Sequence, residues 1–171
     1  MRKYGRLSGW LSYTYGRSLR RVESAFESNS INNGDWFPSN FDTPNNLSVT
    51  VKYLIRKGVE FSSTFVYSDG RPASIPSGRF NYQGQTIAYF NERNGFRIPD
   101  YHRLDISWTW DLESEKKLLD GDFTFSVYNL YGRQNAFSLF FDDVFGQEPQ
   151  AFKLSILGSV FPSVSYRVKF L

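Results

Sequence analysis

The sequence predicts an all-β chain and, within that class, a portion of an antiparallel transmembrane β-barrel. Three observations carry the expectation. Period-two alternation of apolar and polar residues fills most of the chain, while helical periodicity is almost missing. Aromatic residues make up 19% of the 171 residues, yet mean hydropathy is −0.44, as expected where greasy and polar side chains take turns. The connections between the alternating segments are long, short, long, short and long in strict order.

Six segments alternate. In the first, Leu7, Gly9, Leu11, Tyr13 and Tyr15 share a face opposite Arg6, Ser8, Ser12 and Thr14, and Trp10 breaks the rule. The second sets Leu47, Val49, Val51, Tyr53 and Ile55 against Asn46, Ser48, Thr50 and Lys52. The third sets Val59, Phe61, Phe65 and Tyr67 against Glu60, Ser62, Thr64 and Ser68. The fourth is the cleanest: Leu104, Ile106, Trp108, Trp110 and Leu112 oppose Arg103, Asp105, Ser107, Thr109 and Asp111. In the fifth, Phe123, Phe125 and Val127 oppose Asp122, Thr124 and Ser126, and the same phase resumes at Phe137, Leu139 and Phe141.

The sixth runs from Phe152 to Phe170 with an apolar residue, Gly or Pro at every even position; Leu157 and Phe161 are apolar residues out of phase. Read as one strand, that stretch would extend roughly 65 Å. Pro162 would cost it one ladder bond.

Arg56-Lys57-Gly58 reads as a tight turn, and 113–120 as a short charged link. Residues 18–44, 69–98 and 142–149 are the longer polar joins. No linker divides the chain. The net charge of +3 is dispersed, which argues against nucleic acid as a partner. The absence of Cys excludes disulfides and cysteine metal sites. No apolar run reaches the ~20 residues of a membrane helix. The opening MRKYGRLSGW has no apolar signal core, so an export signal would lie outside this sequence.

Soluble strands usually span ~3–10 residues, so the last segment fits a sandwich core poorly. A membrane barrel accounts for it better. Bilayers admit strands only in closed barrels, with apolar faces outward, polar faces inward and aromatic girdles at the interfaces. Tyr13, Tyr15, Tyr53, Tyr67, Trp108, Trp110 and Tyr166 are the girdle candidates. A soluble β-sandwich or lipocalin-like binding protein shares the alternation. Six strands fall short of the ~8 at which single-chain membrane barrels begin, so further strands are expected from outside this sequence.

Three stretches then resemble the last strands of TonB-dependent outer-membrane receptors of the Bacteroidetes type. They are FRIPDYHRLDISWTWDL (96–112), FSVYNLYGRQNAFSLFF (125–141) and FPSVSYRVKF (161–170). The likeness rests on Arg97, Pro99 and Tyr101 to Asp105, on Tyr128 to Leu130, Arg133 and Asn135, and on Pro162, Ser163, Tyr166 and Phe170. It implies that residues 1–171 are the carboxy-terminal part of a barrel of about 22 strands, with the plug and the earlier strands absent. It implies a place in the outer membrane of a Gram-negative bacterium. It further implies a share in active uptake of a scarce nutrient: a metal chelate, cobalamin or a glycan. The implied partners are outer-membrane lipid and lipopolysaccharide, the barrel-assembly machinery, and the plug domain and TonB system. The turns 56–58 and 113–120 would lie on the periplasmic side. Tyr166, Val168 and Phe170 would form the assembly signal.

The remaining candidates come from the residues. Trp36, Phe37 and Phe41 sit in a long polar loop, where exposed aromatics can bind ligands. Arg103, Asp105, Asp111 and Asp122 would form a charge network facing the lumen or the plug. His102, the only histidine, has no partner motif and is expected to be structural. Asn129, Arg133 and Asn135 share the outward phase and are expected above the hydrocarbon, where they would pair across strands five and six or meet lipopolysaccharide. No cofactor or metal is implied, and no catalytic constellation points to an enzyme.

Overall fold

The computed structural model describes residues 2–26, 29–112, 121–141 and 151–168. It is all-β, with antiparallel sheets. The main sheet has seven strands, and its spatial order is its chain order. They are β1 (Arg2–Tyr4), β2 (Leu7–Tyr15), β3 (Asn45–Arg56), β4 (Val59–Ser68), β5 (Tyr101–Leu112), β6 (Gly121–Tyr128) and β7 (Phe161–Val168). The sheet is open, with β1 and β7 at its edges.

Antiparallel order puts the turns at 5–6 and 57–58, the end of β5 and the start of β6 at one end of the sheet. The described parts of the long joins after β2, β4 and β6 stand at the other. Gly58 (φ +77°) makes the turn between β3 and β4, and its carbonyl accepts the Asp111 N–H at 2.7 Å. The connection 113–120, and the acidic loop that begins at Asp142, lie outside the described residues.

Residues directly opposite in an antiparallel pair share a face, so the register decides whether alternation becomes two clean surfaces. One row reads Leu7, Tyr53, Phe61, Trp108, Phe125 and Val164 across six strands. The next reads Gly9, Val51, Ser63, Ile106, Val127 and Pro162. Nearer the loops come Leu11, Val49, Phe65 and Leu104. The opposite face carries Ser8, Lys52, Ser62, Ser107, Ser126 and Ser163 in a single row. Aromatic rings stack between strands on the apolar face: Phe61–Trp108 at 5.1 Å, Trp108–Phe125 at 6.2 Å and Trp110–Phe123 at 5.7 Å. Each such pair adds about 0.5–1.5 kcal/mol beyond its buried area.

Among the described residues no second sheet covers the apolar face. Leu11 is 68% exposed and Val164 62%. Among the described residues the buried apolar side chains are Phe37, Ile98 and Val127, and the first two belong to the loops. The protected interior is instead polar, made of Ser39, Asp42, Asn94 and Asn129 at the foot of the loops.

Three expectations about strand extent need correction. The alternation from Phe152 to Phe170 is two strands, not one. Residues Ala151–Ser155 pair with Ala136–Phe141 in a separate ribbon, and β7 begins only at Phe161. The chain breaks between them at Leu157, whose φ of +53° no strand accommodates. The fifth segment likewise ends at Tyr128, because Asn129 takes a φ of +55°. The outward phase projected onto Asn129, Arg133 and Asn135 therefore does not apply; Asn129 is buried in the turn. Third, the main sheet gains a short strand, β1, ahead of the six expected. Pro162 lies within β7 without stopping it, on an edge of the sheet, where a missing N–H is tolerated.

The long loops carry small ribbons: Leu19–Arg20 with Phe37–Pro38, Pro72–Ala73 with Phe96–Arg97, and the hairpin Gly78–Tyr82/Gln85–Tyr89. That hairpin turns at Gln83 and Gly84, both with positive φ, as a two-residue hairpin turn requires.

The pairing of β6 with β7 allows a test. A Cβ on Gly121 would stand 2.2 Å from the Arg167 carbonyl oxygen, so the backbones must separate. Gly121→Val is expected to loosen β7 by about 1–3 kcal/mol. Amide hydrogen exchange across 161–168 should quicken while exchange in β3 and β4 holds.

Candidate functional site

The described residues that do something other than build the wall gather at the loop end of the sheet. Asp42, from the first long loop, is 1% exposed. Its Oδ1 accepts the Ser18 N–H at 2.6 Å and Arg17 Nε at 3.3 Å. Its Oδ2 pairs with Arg97 of the second long loop. Arg97 Nη1 also donates to the carbonyls of Asp42 (2.6 Å) and Gly70 (2.9 Å). One guanidinium thus fastens two loops. Burial alone would push the Asp42 carboxyl up, but the bonds from Ser18, Arg97 and Arg17 outweigh it and hold it below the ordinary carboxylate range.

Further bonds tighten the joint. Asn94 Nδ2 donates to the Pro38 carbonyl (2.8 Å) and to Asn40 Oδ1 (2.7 Å). Asn32 and Arg93 exchange two bonds, at 3.0 and 2.7 Å. Asp69 Oδ2 accepts both the backbone N–H and the side-chain amide of Asn45. Burial raises the Asp69 carboxyl as well, and these bonds together with Tyr67 more than offset it. The Tyr67 hydroxyl lies 2.9 Å from Asp69 Oδ1 and from Asp100 Oδ2. The third loop joins through Arg133 Nη2 to the Asp100 carbonyl at 3.1 Å and Arg71 to the Phe137 carbonyl. Gly70 sits so close to Ile98 that a Cβ there would lie 1.6 Å from its carbonyl oxygen.

Between these loops opens a cleft of about 730 Å³, with Asn32, Arg71, Phe90, Glu92 and Phe137 among its walls. Of the three aromatic candidates, Trp36 is 65% exposed and Phe41 76%, whereas Phe37 is 3% exposed and packs inside the loop layer. None of the three lines the cleft.

The four charges expected on the inward face do lie on the polar side, but in two groups. At the loop end Arg103 pairs with Asp105 at 2.9 Å. Its Nη1 donates to the Tyr101 and Tyr128 hydroxyls at 2.7 and 2.5 Å, and its guanidinium stacks 4.0 Å over the Tyr128 ring. Asp105 Oδ1 accepts the Asn129 N–H at 2.9 Å. At the turn end Asp111 stands opposite Asp122, and Arg167 reaches Asp122 at 3.8 Å. Six residues, or about 20 Å along β5, separate the groups.

His102 Nδ1 meets the Tyr131 hydroxyl at 2.7 Å, and its backbone exchanges two bonds with the Asn135 side chain. Asn129 donates to the carbonyls of Arg133, Leu157 and Ser159 and so clamps the entry to β7. Tyr166 and Val168 lie on the apolar face opposite Phe123 and Gly121; Phe170 is outside the described residues. Asp42 and Asn94 were not singled out by sequence. The nearest signals are Thr43-Pro44 after Asp42 and the Asn-Gly pair at 94–95.

No family model, curated protein or solved structure matches the chain.

The joint yields a pH prediction. A carboxyl with a lowered folded-state pKa stabilises fully above its unfolded value, about 3.9, and the contribution fades as pH falls through the folded value. Below about pH 4 the loops at 16–44 and 69–100 are expected to part and become open to protease. In Asp42→Asn they should be open already at neutral pH, with a much weaker acid dependence.

Proposed function

We propose that the chain is a segment of wall from a membrane-spanning β-barrel, of the kind found at the carboxy-terminal end of TonB-dependent outer-membrane receptors. The observation that carries the reading is the register. It sorts apolar and polar residues onto opposite faces of one sheet, and among the described residues the apolar face is largely exposed. An apolar surface of that extent needs a cover, and hydrocarbon suits its banding. One aromatic band lies toward the turns, with Tyr53, Phe61, Trp108 and Phe125 in one row and Trp110, Phe123 and Tyr166 in the next. Another, with Tyr13 and Tyr67, lies toward the loops, and the rows between are mostly aliphatic, with Ser63 and Phe65 as exceptions. Tyr67 and Phe61 are six residues apart, about 20 Å, against an apolar band of about 25 Å in such barrels.

On this reading strands from outside the sequence close the barrel. The hydroxyl-rich face meets the lumen and the plug, and the long loops face outward toward lipopolysaccharide and the nutrient. Energy for uptake reaches the plug through TonB. A soluble sandwich or lipocalin-like binder would instead bury the six apolar rows in one core.

Two measurements test the assignment. Single-tryptophan variants in vesicles of brominated lipid should show strong quenching of Trp108, on the apolar face, and little of Trp10 or Trp36. A chain that is compact and monodisperse in plain buffer, with Trp108 unquenched, would falsify the membrane reading. Ile106→Arg, between the two aromatic rows, should cost about 2–4 kcal/mol of insertion energy. The readout is loss of the folded, heat-modifiable band on gels; undiminished insertion counts against the outward orientation of the apolar face of β5.

A further inference from the structure

The polar face carries one apolar island that neither wall nor loop joint uses. Its members break the alternation of the sequence: Leu157 and Phe161 sit out of phase, and here they lie beside Tyr128. Two cavities meet at that point, of about 440 and 430 Å³, with Tyr128 and Leu157 as common walls. The cavity nearer the loops is apolar, bounded by Ile98, Pro99, Phe137 and Ile156. The cavity nearer the sheet centre is lined by Ser62, Thr64, Ser107, Ser126 and Ser163, with Asp105 and Phe161 beside them.

Leu157 is the second observation. Among the described residues other than glycine, positive φ is otherwise confined to Asn and Gln. A leucine there is strained, and strain persists only where its surroundings impose it. The imposing partner is the buried Asn129 amide, which donates to the Leu157 carbonyl at 3.3 Å. The outcome is an aliphatic side chain held 54% exposed at the junction of the two cavities. Glycine would take the same backbone without strain, so relief of strain does not explain a leucine.

The tyrosines supply the polar anchor. Arg103 donates to both phenol oxygens, so each phenol keeps its own O–H free to donate, and both tyrosines line the cavity nearer the loops.

The geometry points to a binding groove for a small amphiphilic molecule with a flat apolar ring joined to a hydroxylated body. The ring lies against Leu157 and Phe137, its linking oxygen accepts from one of these phenols, and the hydroxylated body meets the serine and threonine row. This deepens the receptor reading by naming a ligand class, and rests on it for placing this face inside the barrel.

The probe is p-nitrophenyl β-glucoside, measured by saturation-transfer NMR on the full chain folded in zwitterionic micelles, with glucose and p-nitrophenol as separate arms. The joined probe should bind at least about tenfold more tightly than either half. Leu157→Gly should weaken it about tenfold while the melting temperature holds or rises, and Phe161→Ser should weaken it without unfolding the sheet. Equal binding by Leu157→Gly overturns the inference, as does a joined probe no tighter than its halves. Brominated-lipid quenching of Trp108 is read separately, so failure of the groove and failure of the membrane wall leave different records.

Discussion

Everything in this structure depends on a single constraint: opposite residues on neighbouring antiparallel strands share a face. Alternation along one strand makes a two-sided ribbon and no more. It becomes a two-sided wall only when six ribbons keep one register, and a slip of one residue anywhere would carry serines to the greasy side. The side chains that fix that register are large. Phe61, Trp108 and Phe125 touch ring to ring across three strands, and their displacement by one position would break each contact. The backbone ladder tolerates many registers; the rings tolerate few.

The wall and the loops are held by different physics. The main sheet gathers its apolar residues on one face and buries few of them against protein. The loops have almost no apolar core and are held by buried polar groups whose bonds are nearly all made. Asp42 illustrates the logic. A lone carboxylate in that place would be costly, but two arginines and a backbone N–H surround it, so it becomes the tightest joint between two loops. The cleft and the tyrosine–arginine cluster stand on this platform, which is why their geometry is fixed although long loops build them.

The strands were legible because alternation is a direct print of the pleat. β3, β4 and β5 fall within a residue or two of where period two puts them, and the tight turn at Gly58 follows from its neighbours. What escaped was everything governed by a single backbone dihedral. Leu157 stands out of phase and Asn129 falls where the phase pauses, but nothing in the order of apolar and polar residues reveals a positive φ. Each divides what reads as one long strand. The hairpin at Gln83-Gly84 escaped for another reason: its apolar face is small, only Phe80, Tyr82, Ile87 and Tyr89, and it is set within a long polar loop. The loop joint was half legible. Arg97 stood out as part of a motif, but its partner Asp42 is 55 residues away in the chain, and only folding brings them together.

The hydroxyl rows of the polar face have a consequence for anything that moves along it. Thr50 meets Thr64, Thr109 meets Thr124, and Ser126 meets Ser163, each hydroxyl bonded to its neighbour across the strands. One bond within a hydroxyl pair spends a single O–H; the second O–H and the remaining lone pairs stay available, so a hydroxylated solute on this face finds donors and acceptors repeated from strand to strand.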